Sequence, residues 1–203
     1  TKPKLGLVEF RGSRENNIII TGRRAAEQTN GALTNVDGFT VVRDDAETDP
    51  SRRYKMIAHW ETVHFWDNHE VSGSLGRPAE LMKKYGDARG KYITYSPDGV
   101  RWDQPLTRLD IDGFGDRFLV VRDHRHGQWW LNNRPPIGSK SAGAGLATSQ
   151  DLINWTATEN VLPRPETPET DHPVYESLIP FNYGNQDLGF WNWNIVCPYA
   201  MIL

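Results

Sequence analysis

Three acidic residues stand directly before apolar stretches of the sequence, namely Asp37, Asp116 and Glu176. Glu176 lies between Tyr175 and Ser177 in "VYESLIPF", which otherwise carries no charge. Taking a carboxylate out of water costs free energy unless it gains a partner. Burial also raises the pKa of a carboxyl group, which suits it to hold and deliver a proton near neutral pH. The alternative for Glu176 is an exposed residue at the rim of a sheet.

Each of the two aspartates could instead have a structural role as a turn residue. Asp37 lies in "NVDG" and Asp116 closes "DGFGD", and both sequences have the composition of turns. The sequence therefore leaves two interpretations open for each residue, a functional carboxylate or a turn residue.

The elements that must position these carboxylates are short strands. Apolar and aromatic runs are separated by Gly, Pro, Asp and Asn, a pattern typical of an all-β sandwich, barrel or propeller. Helix signals are scarce, and only "RPAELMKKYGDAR" (Arg77–Arg89) predicts a short helix, inside a long insertion at Val63–Arg89.

Two internal repeats decide among these architectures. The hairpins "YSPDGVRW" (Tyr95–Trp102) and "TSQDLINW" (Thr148–Trp155) share a serine, an aspartate two residues later and a tryptophan. Each is preceded by a related unit, "VDGFTVVRDD" in the first copy and "GDRFLVVRDH" in the second. Glu176 begins a third, partial copy with "SLIPF" and "LGFWNW". Four-stranded sheets that repeat along a chain are typical of propeller blades.

These residues resemble the five-bladed β-propeller glycoside hydrolases of the arabinanase/xylosidase and invertase types, over about Leu5 to Trp193. The resemblance implies an active site at the centre of one propeller face, with carboxylates from the innermost strands of successive blades. It assigns Glu176 as the catalytic acid, and Asp37 or Asp116 as base or pKa modulator. It also implies export to the cell exterior or periplasm, although the sequence itself leaves the localisation unknown.

The predicted organisation is one incomplete all-β propeller domain of about two and a half blades. Closure by oligomerisation, a fragment of a longer chain or a different fold are the alternatives. The predicted segments are the exit of a preceding blade (1–35), two blades (36–110 and 111–170) and the first strands of a further blade (171–203).

Further residues are predicted to contact a sugar. His59 and Trp60 end a strand that should reach the propeller face, and Tyr175 flanks Glu176. Asn16 and Asn17 could hydrogen-bond sugar hydroxyls, with a turn as the alternative. The histidines at 59, 64 and 69 share no face on a helix and alternate faces on a strand, so the sequence predicts no metal site and no cofactor.

Structural roles are predicted for other notable residues. Arg43 and Arg122 should pair with the adjacent Asp44 and Asp123, and "RDHRH" should form a solvated turn. The chain contains eight tryptophans, and aromatic residues favour strands. We therefore expect sheet packing, rather than sugar platforms, from the tryptophans at 129, 130, 191 and 193.

The composition bounds the partners. A net charge of −3 gives no reason to expect nucleic acid or an anionic membrane, and no apolar run approaches the roughly 20 residues of a membrane helix. The expected partner is an oligosaccharide or polysaccharide substrate. The alternative is a non-catalytic carbohydrate-binding or assembly module that self-associates through open blade edges, because unpaired strand edges readily join other chains.

Overall fold

The computed structural model describes residues 3–30, 32–33, 35–61, 88–111, 114–134, 144–162 and 173–195. Almost all of the helix predicted at Arg77–Arg89 lies outside these residues. Within them the chain is all-β, as predicted, with three antiparallel sheets. The helical elements in the described ranges are the helix α1 (Gly22–Gln28) and one 3-10 turn (Pro50–Arg52).

Two of the sheets have four strands each in sequential order. The first sheet contains β1 (Asn35–Arg43), β2 (Tyr54–Glu61), β3 (Gly90–Ser96) and β4 (Thr107–Arg108). The second sheet contains β5 (Phe114–Asp123), β6 (Gln128–Arg134), β7 (Ala144–Ser149) and β8 (Glu159–Leu162). The third sheet has two strands, β9 (Pro173–Tyr183) and β10 (Gln186–Ile195).

The chain divides into two compact units. Unit 1 comprises Thr1–Asp37 and Val41–Arg108, and unit 2 comprises Gly38–Thr40 and Leu109–Leu203. Unit 1 thus holds most of the first sheet, and unit 2 holds the second and third sheets. No helix among the described residues has the length and apolar character to cross a membrane.

One face of β2 contributes to the hydrophobic core of unit 1. Met56, Ala58 and Trp60 follow one another at the two-residue period of a strand, and all three are buried. Ala25 of α1 packs into the same cluster. The hydroxyl of Thr29, which follows α1, donates to Ala25 O at 2.6 Å and accepts from Leu33 N at 3.0 Å. These bonds fix the chain as it leaves the helix.

The core of unit 2 is centred on β6. Trp129, Trp130 and Leu131 are consecutive and all buried, so both faces of β6 are covered. The predicted packing role of Trp129 and Trp130 is therefore confirmed. Trp191 and Trp193 lie on β10, and their side chains are outside the described part of the chain.

One face of the third sheet is apolar and exposed. Ile179 lies opposite Phe190 and Phe181 lies opposite Leu188, so these four side chains share one face. That face is exposed, with Phe190 68% accessible and stacked on Phe181 at 5.1 Å between ring centroids. β9 also packs against β5, β6 and β7 of the second sheet.

The repeated serine-aspartate hairpins have the same hydrogen bonds in both copies. The Ser96 hydroxyl accepts from Asp98 N and Gly99 N, and Asp98 Oδ1 accepts from Val100 N and Arg101 N. In the second copy Ser149 and Asp151 make the equivalent bonds, at 2.8 to 3.2 Å. Each hairpin follows the third strand of its sheet, so the sequence repeat corresponds to a structural repeat.

These hairpins predict a dependence of stability on acid pH. Hydrogen bonds from Arg101 N and Val100 N lower the pKa of Asp98 from 3.8 to about 2. Burial works to raise the pKa of Asp151, but hydrogen bonds from Asn154 and Ile153 outweigh it and bring that pKa to about 2 as well. A lowered pKa in the folded state stabilises the protein above about pH 4, and this stabilisation is lost as the pH falls towards 2.

We therefore expect the Asp98→Asn/Asp151→Asn double variant to lose less stability than the wild type between pH 4 and pH 2. Urea unfolding at a series of pH values measures this. Asp103→Asn serves as the control, since its position lies outside both repeated turns. A double variant as acid-sensitive as the wild type would contradict the assignment.

The two hairpins differ in the residue that adopts a left-handed backbone. Gly99 has φ +75° in the first copy, and Leu152 has φ +68° at the equivalent position of the second. A leucine in this conformation is strained by roughly 1 to 2 kcal/mol. Its side chain is nevertheless fully buried, so packing in unit 2 offsets the strain.

This difference predicts an unusual order of stability. Leu152→Gly should be more stable than Leu152→Ala by about 1 kcal/mol, because glycine relieves the left-handed strain. Leu131, equally buried but within β6, provides the control, since there Leu131→Gly should be the less stable variant. Denaturant unfolding of the four variants measures both differences. The same order at both positions would show that Leu152 is unstrained.

Candidate functional site

The three predicted carboxylates lie on the first strands of the three sheets. Asp37 lies on β1, Asp116 on β5 and Glu176 on β9. Asp116 and Glu176 belong to unit 2, whereas Asp37 belongs to unit 1. Their side chains are outside the described part of the chain, so what the structure establishes is their place in the backbone.

Glu176 lies at a β-bulge. Ser177 pairs with Asn192 and Tyr175 pairs with Trp193, so Glu176 is the extra residue between two consecutive partners on β10. A bulge bends the strand and redirects the side chain of the inserted residue, and bulges are common beside active sites. The sequence carries no sign of this irregularity.

Asp116 lies in a larger interruption of a strand pair. Phe114 pairs with Arg134, and the next pair along β5 is Leu119 with Asn132. The four residues 115–118 thus stand against a single position of β6. Both predicted carboxylates of unit 2 therefore occupy places where the regular ladder breaks.

Asp123, which the sequence placed in a solvated turn, is instead a buried carboxylate with several hydrogen-bond partners. Its side chain is 0% exposed. Oδ1 accepts from Arg125 N, His126 N and Asn182 Nδ2, at 3.0 to 3.2 Å. Oδ2 accepts from Gln128 Nε2 at 3.0 Å and from His126 Nδ1 at 2.7 Å. The turn residues at 124–126 are exposed, as predicted.

The electrostatics of Asp123 favour a structural role. Burial works to raise the pKa of its carboxyl, but hydrogen bonds from Gln128, His126 and Asn182 outweigh burial and hold that pKa below its ordinary value. Asp123 is therefore an ionised acceptor at neutral pH and is unsuited to act as a general acid. It joins the β5–β6 hairpin to β9.

The group formed by Asp123, His126 and Asp187 has potential ligand atoms within 4.8 Å of one another. Both oxygens of Asp123 and Oδ1 of Asp187 are already used in contacts within the protein. Asp187 Oδ1 accepts from Asn182 at 2.9 Å and pairs with Arg125 at 2.7 Å. We interpret this cluster as the connection between two hairpins.

The predicted pairing of Arg43 and Arg122 with the next residue is wrong. Arg43 pairs with Asp45 at 2.7 Å, and Arg122 stacks over Trp129 and donates to Gly127 O. Asp44 and Asp123, the aspartates that follow these arginines, have other partners instead. Asp44, with Glu47, pairs with Lys55, whose side chain is buried. Burying an ammonium group requires such partners.

Three of the four residues predicted to contact sugar in unit 1, His59, Trp60 and Asn16, occupy structural positions. His59 and Trp60 on β2 are 6% and 0% exposed, so their burial favours packing over the lining of an open pocket. The Asn16 amide donates to Val8 O and Ser13 O, and its Oδ1 accepts from Ile18 N. Asn16 thus holds its own loop, as the turn alternative predicted. Asn17 is exposed, and Tyr175 lies on β9 opposite Trp193.

Two concavities occur in the described part of unit 1. Trp60 and Trp102 line a small cavity of about 10 Å³, together with Gln28, Thr94 and Gln104. A groove of about 660 Å³ lies between the N-terminal segment and the hairpin after β3. Its walls include Glu9 and Arg14, which lie 4.0 Å apart, and Arg101, which pairs with Asp98. Sequence reasoning found neither, because each depends on contacts between distant segments.

No protein-family model matches this chain, and neither a curated protein nor a solved structure matches it. Its function is therefore inferred from the residues and their geometry.

Proposed function

We propose that this chain forms blades of a carbohydrate-active β-propeller that hydrolyses glycosidic bonds by carboxylate acid/base catalysis. The observation that carries the proposal is the bulge at Glu176 on the first strand of its sheet, since the first strands of the two preceding sheets carry Asp37 and Asp116 near their starts. Two four-stranded sheets in sequential order, each with the same hairpin after its third strand, support the propeller architecture.

The chemistry follows from the residue types. Hydrolysis of a glycosidic bond needs an acid that protonates the leaving oxygen and a second carboxylate that activates water or attacks the sugar carbon. Glu176 is the proposed acid. Asp37 or Asp116 is the proposed base or nucleophile, and the other tunes the pKa of the acid or orients the substrate.

The second candidate is a non-catalytic carbohydrate-binding or assembly module. The exposed apolar face of the third sheet favours it, since Ile179, Leu188 and Phe190 lie side by side on the surface. Large exposed apolar patches mark contact surfaces.

A panel of aryl glycosides and plant polysaccharides distinguishes the two functions. Release of aryl alcohol or of new reducing ends by the wild type supports hydrolysis. Binding of a polysaccharide in affinity electrophoresis, without turnover of any substrate, supports the binding module and contradicts the enzyme. Light scattering separately measures assembly. An assembly module should form oligomers. An enzyme whose site is complete in one chain should be a monomer.

A further inference from the structure

Asn132 is a buried amide in the middle of the second sheet. It lies on β6, pairs with Leu119 and Leu146 on its two neighbours, and is 1% exposed. Its Oδ1 accepts a hydrogen bond from Leu178 N at 3.1 Å, and its Nδ2 points to Gly145 O at 3.5 Å. A buried amide is costly unless its polar atoms are used, so these contacts account for its presence.

The bond to Leu178 replaces a missing ladder partner. Within the described residues β9 pairs with β10 alone, so its other edge carries backbone groups that no strand satisfies. Asn132 meets one of them from the second sheet. Leu178 is two residues beyond Glu176, the bulged residue of β9.

A second contact holds β9 farther along. Asn182 Oδ1 accepts from His124 N at 2.7 Å, and Asn182 Nδ2 donates to Asp123. Of these two anchors Asn132 is the nearer to the bulge. At a bulge the inserted residue is unpaired and the ladder is locally disrupted, so a hydrogen bond two residues away adds a fixed point next to the disruption.

We propose that Asn132 is a positioning residue for Glu176. By holding the Leu178 N–H it fixes the end of the bulge against the second sheet and so restrains the backbone at Glu176. The catalytic meaning of this rests on the proposed function, whereas the positioning can be measured without any substrate.

Three variants test the proposal. Asn132→Leu has the same number of side-chain heavy atoms but no acceptor. Asn132→Asp keeps an acceptor oxygen, and Leu131→Val perturbs the adjacent buried position without removing the acceptor for Leu178. Two quantities are measured by NMR, the hydrogen exchange rate of the Leu178 amide and the carboxyl ¹³C chemical shift of Glu176. The Glu176 resonance is assigned as the one that disappears in Glu176→Gln.

We expect Asn132→Leu to speed exchange at Leu178 by about tenfold, as for the loss of one net hydrogen bond, and to shift the Glu176 resonance. Asn132→Asp should restore the resonance towards its wild-type position, and Leu131→Val should leave both readouts unchanged. Should Asn132→Leu fail to fold, Asn132→Ser replaces it, because the shorter side chain withdraws the acceptor from Leu178.

An unchanged Glu176 resonance in the folded variant overturns the proposal, even if exchange at Leu178 increases. A shift of equal size in Leu131→Val also overturns it, since any core change would then suffice. A wild type without glycosidase activity, but with the expected NMR response, contradicts the proposed hydrolysis and leaves the positioning role standing.

Discussion

Asp123→Ala should lower the free energy of unfolding of unit 2 by about 2 to 3 kcal/mol, because hydrogen bonds to a charged acceptor contribute roughly 1.5 to 3 kcal/mol. The carboxylate is fully buried and accepts five hydrogen bonds from four residues. Alanine would leave the part-buried donors of Gln128 and Asn182 without this acceptor, and each unsatisfied donor carries a desolvation cost. A loss of this size is a large fraction of the stability of an ordinary domain.

Residue-level hydrogen exchange in increasing urea is the appropriate measurement, because two compact units need not unfold together. Protection should fall in β5, β6, β9 and β10 and persist in the first sheet. Asp187→Asn provides the control, since its half-exposed ion pair with Arg125 should contribute less than about 1 kcal/mol. Equal losses in the two variants would show that Asp123 is not the central acceptor.

Glu176→Gln should reduce the turnover of an unactivated glycoside by about 10²- to 10⁴-fold, the usual contribution of a general acid. Glutamine preserves the size of the side chain but has no proton to deliver. The loss should be much smaller for an aryl glycoside with a strongly acidic leaving group, because such a group departs without protonation. Steady-state rates on the two substrates measure the difference.

Glu159→Gln is the matched control, since it makes the same chemical change at an exposed position of β8. It should leave both rates at the wild-type level. Asp37→Asn and Asp116→Asn complete the series, and the one acting as base or nucleophile should lose activity on both substrates alike. Equal losses on the two substrates in Glu176→Gln would exclude its role as the acid.

Local patterns in the sequence predicted the features that depend on local physics. The apolar and aromatic runs between turn residues and the Ser-x-Asp hairpins are local patterns, so the all-β class and the structural repeat followed from them. The placement of the three carboxylates on first strands followed from the same repeat. The propeller itself stays a prediction.

Features that depend on distant segments escaped the sequence. The bulge at Glu176 is fixed by its pairing with β10, and the burial of Asp123 by its contact with Asn182. Helix α1 is only seven residues long, which is too short for a clear periodic pattern. The sequence around Trp60 is compatible with a pocket residue or a core residue. Its tertiary contacts, which the sequence does not show, bury it in the core.

The two kinds of bond made by Asp123 also bear on the order in which unit 2 folds. Its bonds to residues 125, 126 and 128 span two to five residues, whereas its bond to Asn182 spans 59. Closing a longer loop costs more entropy. We therefore expect the β5–β6 hairpin to form early in folding, and β9 and β10 to pack against it later. During refolding, the β6 amides would then become protected from hydrogen exchange before those of β9. The strand that contains Glu176 would therefore be among the last to form.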